Sequence, residues 1–264
     1  MALNEERKEI IMDPLLDFTG KVATITGAAQ GFGKLLAEEL TKRGAKLVIS
    51  DINEAGVRQV ADDLVAAGAE VIALKCDVSN SEDCKAMVDT AIENFGRVDI
   101  GVNNAGIAHD FHALHEIDEA LMDNQFAINV KGVQFGMRYQ IEQMLKQEDG
   151  AILNVSSMAG LNGAAKVGAY SMAKHAVIGL TKTGAVEYGR KNIRINAICP
   201  FFTLTKMVTN MADEQMQSKM SLGAPMKRLG EPSEIVAMML MMLSPKNTYM
   251  SGQCIAIDGG VSAQ

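Results

Sequence analysis

The sequence has few residues of the kinds that mark secreted, metal-binding or nucleic-acid-binding proteins. Its four cysteines, Cys76, Cys84, Cys199 and Cys254, show no C-x-x-C or other metal-binding spacing. Lysine and arginine number 25 against 32 aspartates and glutamates, and the net charge of −7 offers no basic surface to a nucleic acid or an anionic membrane. We therefore expect reduced thiols in a cytoplasmic protein, with no metal, nucleic acid or membrane as a partner.

Long apolar runs are also absent from the sequence. The methionine-rich run IVAMMLMMLS at 235–244 is shorter than the ~18 apolar residues of a membrane-spanning helix, and it fits a buried helix. The first residues, MALNEERKEIIMDPLL, mix both charge signs and lack the apolar centre of a secretory signal. We expect 1–18 to form a loosely held extension and 19–264 a single domain, because no Pro- or Ser-rich linker interrupts the remaining chain.

Short runs rich in β-branched residues alternate with longer helical patterns from Lys21 onward. Strands separated by helices imply right-handed βαβ crossovers and a parallel sheet covered on both faces. The predicted strands lie at 21–27, 46–51, 70–79, 98–106, 150–157, 194–200 and 253–260. The pattern predicts an α/β protein with a doubly wound, seven-stranded parallel sheet and helices on both faces.

The first predicted strand runs into a glycine-rich turn, TGAAQGFG, which contains Gly27, Gly31 and Gly33. Glycines at such a turn let backbone N–H groups approach a pyrophosphate at a helix N-terminus. The spacing is not G-x-G-x-x-G, and a tight turn without a ligand also explains it. However, Asp51 ends the second predicted strand, where a carboxylate accepts hydrogen bonds from an adenosine ribose and repels a 2′-phosphate. The sequence favours NAD over NADP, the alternative being that Asp51 merely caps the next helix.

The segment GAYSMAKHA places Tyr170 and Lys174 four residues apart, on one face of a predicted helix. Such a pair usually lies on a solvent-exposed face of a helix and has no catalytic role. Here it is one of several motifs that together resemble the short-chain dehydrogenase/reductase family over about 20–260. The motifs, in the family's order, are TGAAQGFG, Asp51, CDV at 76–78, NNAG at 103–106, NVKG at 129–132, Ser157, YSMAK at 170–174 and CPFFTLT at 199–205.

The resemblance implies a Rossmann-like fold, an oxidoreductase that uses NAD(H), and a homotetramer. It assigns catalytic roles to Asn129, Ser157, Tyr170 and Lys174, with Ser157 at the family's spacing of thirteen residues before Tyr170. Tyr170 and Lys174 are also expected to contact the cofactor. The other implied cofactor-binding residues are Gly27, Gln30, Gly31, Phe32, Gly33, Asp51, Ile52, Asp77, Val78, Asn104, Ala105, Gly106, Pro200, Thr203 and Thr205.

The implied chemistry requires a proton to move to or from the substrate oxygen during hydride transfer. A tyrosine, with an ordinary pKa of about 10, is a poor base at neutral pH. A neighbouring ammonium favours the phenolate, so we expect Lys174 to lower the pKa of Tyr170. Ser157 is expected to donate a hydrogen bond to the oxygen on which negative charge develops.

The expected substrate pocket is apolar and lies under a lid near 201–225. Phe201 stands where the family usually has glycine, and Phe202 and Met207 follow in a methionine-rich segment. These residues favour an apolar secondary alcohol or ketone, alicyclic or steroid-like, over a sugar or a charged acid. The predicted pocket residues are His109, Ser157, Met158, Leu161, Phe201, Phe202 and Met207.

Two other functions remain open at this stage. A 3-oxoacyl-[acyl-carrier-protein] reductase normally uses NADPH and a basic docking patch, and Asp51 and the acidic balance count against it. A non-catalytic dinucleotide-binding sensor or scaffold would not need Ser157, Tyr170 and Lys174 together. His109, His112 and His115 recur every three residues, but no carboxylate–histidine pattern of a metal site accompanies them.

Overall fold

The computed structural model describes residues 13–264 and contains a single seven-stranded sheet within them. All neighbouring strands pair in parallel, in the order β3-β2-β1-β4-β5-β6-β7. The prediction of a doubly wound, seven-stranded parallel sheet is confirmed. The strands are β1 Val22–Thr26, β2 Lys46–Asp51, β3 Val71–Lys75, β4 Ile100–Asn103, β5 Gly150–Val155, β6 Ile193–Pro200 and β7 Cys254–Ile257.

Helices cover both faces of the sheet, as predicted. A π-helical turn at Ala127–Lys131 joins the fourth helix to the fifth. None of the helices in the described part of the chain is long and apolar enough to cross a membrane. The helices are α1 Gly31–Thr41, α2 Glu54–Ala66, α3 Ser81–Phe95, α4 Glu119–Phe126, α5 Gly132–Gln147, α6 Gly168–Tyr188, α7 Lys206–Met211, α8 Glu214–Leu222 and α9 Pro232–Leu243.

Two hydrophobic cores lie on opposite sides of the sheet. Consecutive strand side chains point to opposite faces, so Leu153 joins the core under α1, α2 and α9. Its neighbour Ile152 joins the core under α3, α5 and α6. Because both faces of the sheet are buried, the strand sequences are largely continuous apolar runs and do not alternate between apolar and polar residues.

Residues 13–18 differ from the loose extension that the sequence predicts. Phe18 is fully buried in the first core, and its N–H donates to the carbonyl of Arg43. The Ser244 hydroxyl donates to the carbonyl of Leu15. Burial of this aromatic side chain and the two hydrogen bonds together oppose the chain entropy that the segment loses on docking. The rest of the predicted extension lies outside the described residues.

The strand order places a crevice beside β1. The chain builds β1, β2 and β3 towards one edge and then returns to add β4 on the other side of β1. In doubly wound sheets, the loops at the carboxyl ends of the strands separate at such a reversal, and ligands bind between them. The glycine turn after β1 and the NNAG segment after β4 meet at this position.

Candidate active site

The glycine turn is fixed by its contact with the NNAG segment. Gly27 has φ +67°, and a Cβ on it would lie 2.8 Å from the Cα of Ala105. The Asn104 amide donates to the carbonyls of Thr26 and Gly27, at 2.9 Å each. A Cβ on Gly33 would lie 2.3 Å from the Gly27 oxygen. Packing alone therefore requires glycine at positions 27 and 33, with or without a ligand.

Asp51 stands at the end of β2 with its carboxylate turned towards the glycine turn. Its Oδ2 accepts a hydrogen bond from Ala29 N at 3.0 Å, and its Oδ1 accepts one from Asn53 N at 2.9 Å. The cap of α2 is Asn53, whose Oδ1 accepts from Gly56 N. Asp51 is therefore not the N-cap of α2, and it lines the cavity together with Ile52.

One cavity of about 700 Å³ runs along the carboxyl ends of the strands. Residues after β2 and β3 line it on one side of the sheet, and residues after β5 and β6 line it on the other. Of the predicted cofactor-binding residues, Gly33 alone does not line this cavity, because it packs against the glycine turn. The predicted pocket residues that line it are Ser157, Met158, Phe201, Phe202 and Met207.

Ser157, Tyr170 and Lys174 all line this cavity. Ser157 follows the end of β5, while Tyr170 and Lys174 lie one turn apart on α6. Lys174 is buried, and its ammonium donates to the carbonyl of Val155 at 2.8 Å. Its Nζ lies 5.5 Å from the centre of the Tyr170 ring. The loop after β5 and one face of α6 thus bring Ser157, Tyr170 and Lys174 to the same cavity.

Burial dominates the pKa values of this group. It lowers the pKa of the Lys174 ammonium to about 8. It raises the pKa of the Tyr170 phenol above its ordinary value, and a hydrogen bond with Ser157 opposes that rise. The sequence predicts instead that Lys174 lowers the pKa of Tyr170. In the structure, desolvation of the phenol has the largest effect on the pKa of Tyr170. The Lys174 ammonium donates its hydrogen bond to a backbone carbonyl and not to the phenol.

Asn129 lies in the π-helical turn, behind the cavity wall. Its Oδ1 accepts from Ile107 N at 2.9 Å, and its Nδ2 donates to the Ile107 carbonyl at 2.8 Å and to Gln125 Oε1 at 2.7 Å. A Cβ on Gly106 would lie 2.8 Å from Asn129 Oδ1 and 3.4 Å from Lys174 Nζ. Asn129 and Lys174 therefore approach each other across Gly106, although Asn129 does not line the cavity.

Comparison with known proteins identifies the family. A family model described as Enoyl-(Acyl carrier protein) reductase matches residues 27–262. A protein named short-chain dehydrogenase/reductase aba4, from Botryotinia fuckeliana, is 37% identical over 253 residues that cover 92% of this chain and 97% of that protein. The chain belongs to the short-chain dehydrogenase/reductase family. The resemblance predicted from the sequence is confirmed.

Other relatives in the family carry more specific names. Levodione reductase of Leifsonia aquatica is 36% identical over 259 residues, which cover 95% of this chain and 97% of that protein. Cyclohexanol dehydrogenase of Acinetobacter sp. (strain SE19) is 34% identical over 247 residues, which cover 94% of this chain and 97% of that protein. The crystal structure of levodione reductase superposes with a TM-score of 0.90 at 36% identity, covering 93% of this chain and 99% of that one.

Solved family members differ in the dinucleotide that they hold. A 3-ketoacyl-(acyl-carrier-protein) reductase from Brucella melitensis, complexed with NADH, has a TM-score of 0.87 at 32% identity and covers 93% of this chain and 100% of its own. ElxO with NADP bound has the same TM-score at 30% identity and covers 92% of this chain and 99% of its own. The short-chain dehydrogenase/reductase fold therefore binds a nicotinamide dinucleotide, and the fold alone does not select NAD or NADP.

The residues of this family member fit such a dinucleotide. Gly31 has φ +58° and opens onto the cavity, and the nearest atom to a Cβ on it would be Thr205 Cγ2, at 4.0 Å. The residue before α1, Gln30, makes no side-chain hydrogen bond to the first turn of the helix. The N-terminus of α1 therefore presents free backbone donors to an open space, as a pyrophosphate requires.

Two predicted pocket residues are not in the cavity wall of this short-chain dehydrogenase/reductase. Leu161 lies just after the short helical turn at Met158–Gly160, and His109 is buried beside the start of α6. The rings of His109 and His112 stack at 6.0 Å. Residues 13–264 hold no group of three or more His, Cys, Asp or Glu side chains placed to bind a metal ion.

Several residues of the cavity wall are not predicted from the sequence. Phe111 lies two residues after His109 and Met211 lies within the predicted lid, but neither carries a motif of its own. The segment at 162–167, which enters α6, also lines the cavity. Its proximity to Tyr170 in sequence is the one signal that points to it. Gln125, the partner of Asn129, has no signal because it is one of four polar residues in the eight-residue helix α4.

Proposed function

We propose that this protein interconverts an apolar secondary alcohol, alicyclic or steroid-like, and its ketone by hydride transfer with NAD(H). One observation carries the proposal: a single cavity joins Asp51 at the end of β2 to Ser157, Tyr170 and Lys174 and then to an apolar wall after β6. The same cavity thus holds room for a dinucleotide, proton-handling groups and an apolar ligand. The cyclohexanol and levodione enzymes among the relatives support this choice.

The charges in the cavity support NAD over NADP. Asp51 and Asp77 both line it on the β2–β3 side. The cationic side chains among the described lining residues are Lys174, beside Tyr170, and Lys206, which follows Thr205 near the start of α1. Neither follows β2 or β3. A 2′-phosphate beside Asp51 would therefore face two carboxylates and no cation among the described lining residues on this side of the cavity.

The bound dinucleotide supplies or accepts the hydride, and the protein handles the proton. Tyr170 holds the proton of the substrate oxygen, and Ser157 donates to that oxygen as its charge grows. Lys174, with its pKa lowered to about 8, remains mostly protonated at pH 7 and supplies positive charge beside the phenol. At higher pH it loses this charge, which makes the site sensitive to alkaline conditions.

The wall expected to face the substrate is apolar and adaptable. The rings of Phe201 and Phe202 pack edge to face with centres 4.7 Å apart. Phe202 also packs with Phe111 against a small cluster that includes Val208 and Met220 of the lid. Met207 lines the cavity and remains partly exposed. A wall that includes flexible thioethers suits rings of different size.

A homotetramer in the cytoplasm completes the proposal. Apolar side chains on α4 and α6 are exposed in the single chain, among them Met122, Phe126, Met172 and Val186. Exposed apolar groups on these two helices support burial by a second copy. Light scattering after size exclusion should give four times the 28.3 kDa chain mass. A mass of one or two chains contradicts the tetramer.

A reduced-nicotinamide absorbance assay tests the proposed function. Wild type is expected to turn over cyclohexanol or a steroid alcohol with NAD⁺ and to prefer NAD⁺ over NADP⁺. Asp51→Asn retains an acceptor for Ala29 N but loses the charge, so it should lose about 10-fold or more of the preference. A wild-type enzyme that uses only NADP⁺ contradicts the interpretation of Asp51.

The same assay tests the second candidate, a 3-oxoacyl-[acyl-carrier-protein] reductase. The NADH-bound reductase from Brucella melitensis favours keeping this candidate, because that name and that cofactor occur together. A 3-oxoacyl thioester is added to the panel with the reduced dinucleotide. Reduction of the thioester, with no turnover of any ring alcohol, replaces the proposed function with this one.

A further inference from the structure

His109 makes a direct hydrogen bond to the backbone of the tyrosine proposed to handle the proton. It belongs to the loop after β4 and is nearly fully buried. Its Nε2 lies 3.3 Å from the backbone N of Tyr170, in hydrogen-bonding geometry. The two residues are 61 positions apart in sequence, so the contact exists only in the folded chain.

The second ring nitrogen fixes the protonation state of His109. Nδ1 lies 2.6 Å from the carbonyl oxygen of Asp110. A carbonyl oxygen can only accept, so Nδ1 carries the hydrogen. Because a backbone N–H can only donate, Nε2 must be the unprotonated acceptor. His109 is therefore neutral and in the Nδ1–H tautomer.

Helix α6 lacks a local cap at the position that His109 serves. Tyr170 is the third residue of α6, and the first four N–H groups of an α-helix have no partner within it. The residue before the helix, Val167, provides no side-chain hydrogen bond. The first helical bond runs from Ser171 N to the Val167 carbonyl. The His109 ring thus supplies the missing acceptor from a separate segment.

The same loop also holds Asn129. Ile107, two residues before His109, exchanges two hydrogen bonds with the Asn129 side chain. His112 N donates to the carbonyl of Lys166, just before α6, at 2.9 Å. The segment 107–112 is therefore attached both to the π-helical turn and to the first turn of α6.

We propose that His109 is a positioning residue, whose neutral ring fixes the first turn of α6 and so sets the place of the Tyr170 phenol relative to Ser157. It does so from behind the cavity wall, without contact with the dinucleotide or the substrate. The proposal rests on the proposed acid–base role of Tyr170. Loss of the acceptor should lower turnover and leave dinucleotide binding unchanged.

Nitrogen NMR of the full-length protein tests the hydrogen bond without any substrate. The chain has four histidines and four tyrosines, so ¹⁵N labelling of these two types gives few signals. We expect His109 to show a protonated Nδ1 and an unprotonated Nε2, and the Tyr170 amide to exchange slowly. A ring protonated at Nε2, or an equally slow Tyr170 amide in His109→Phe, overturns the proposal.

Three variants test the effect on catalysis. His109→Phe keeps an aromatic ring without an acceptor, and kcat should fall by about 5- to 100-fold while the dissociation constant of the dinucleotide is unchanged. His109→Gln keeps a side-chain acceptor and should restore kcat to within about threefold. His112→Phe changes the stacked neighbour and should behave as wild type.

The kinetic results separate this proposal from the proposed function. Wild-type turnover by His109→Phe, or an equal loss in His109→Gln, refutes the positioning role. If no alcohol or ketone is turned over by wild type, the proposed function fails, and the NMR measurement still decides whether the His109–Tyr170 bond exists.

Discussion

Lys174 should cost the folded protein stability at neutral pH, and replacing it should recover that stability. Burial lowers the pKa of its ammonium from 10.5 to about 8. At about 1.4 kcal/mol per pH unit, this difference corresponds to about 3 kcal/mol against the folded state. Below pH 8 the cost is fully present, because Lys174 is charged in both states. It disappears as the pH rises from 8 to 10.5, where the unfolded state still binds the proton.

The variant Lys174→Met removes the charge and keeps an apolar chain of similar length. It also removes the hydrogen bond to Val155, but that loss does not vary with pH. Urea unfolding of both proteins at pH 7 and pH 10 isolates the charge. The stability advantage of the variant over wild type should shrink by about 2–3 kcal/mol between the two pH values. An advantage that does not change with pH refutes the reasoning.

An exposed lysine on the same helix provides the control. Lys182 lies on α6 and is exposed. Lys182→Met should show no pH-dependent difference from wild type over this range. All measurements need one protein concentration, because association of copies adds to the apparent stability. The variant is also expected to lose turnover, so the same residue links stability and activity.

Three further predictions follow from single contacts. Gly27→Ala puts a Cβ 2.8 Å from the Cα of Ala105, at a residue with a positive φ. Dinucleotide affinity measured by fluorescence titration should therefore fall by about 10-fold or more, and an unchanged affinity contradicts this. Ser157→Ala should lower kcat by about 10²–10³-fold with little change in dinucleotide affinity, and equal kcat values would remove Ser157 from the mechanism. Phe18→Ala should lower the free energy of unfolding by about 3–5 kcal/mol, whereas a loss below about 1 kcal/mol would show that residues 13–18 are not part of the core.

Much of the fold follows from local sequence patterns. The KLVISD run predicts β2 at its observed bounds, because a continuous apolar run between two helices fits a strand buried on both faces. The predicted strand at 98–106 is longer than β4, which ends at Asn103. The predicted residues beyond it, 104–106, leave the sheet to pack against the glycine turn. Pattern alone does not show where pairing stops.

The candidate site likewise has features that the sequence predicts and features that depend on how the chain packs. Asp51, Ser157 and Tyr170 lie at strand ends or on a helix face, so their order in the chain predicts that they line one cavity. The burial of Tyr170, which raises its pKa, depends on how α6 and the preceding loop pack. The contact between His109 and the Tyr170 backbone joins a side chain to a main-chain group across 61 residues, and such a contact leaves no periodicity or motif in the sequence.

Transfer of a labelled hydride tests the central claim most directly. Cyclohexanol deuterated at the carbinol carbon is incubated with NAD⁺ and the enzyme, and the reduced dinucleotide is examined by mass spectrometry. Wild type should yield reduced dinucleotide carrying one deuterium, and Tyr170→Phe should yield about 10²–10⁴-fold less while still binding the dinucleotide. Reduced dinucleotide without deuterium, or an undiminished yield from Tyr170→Phe, would contradict the account.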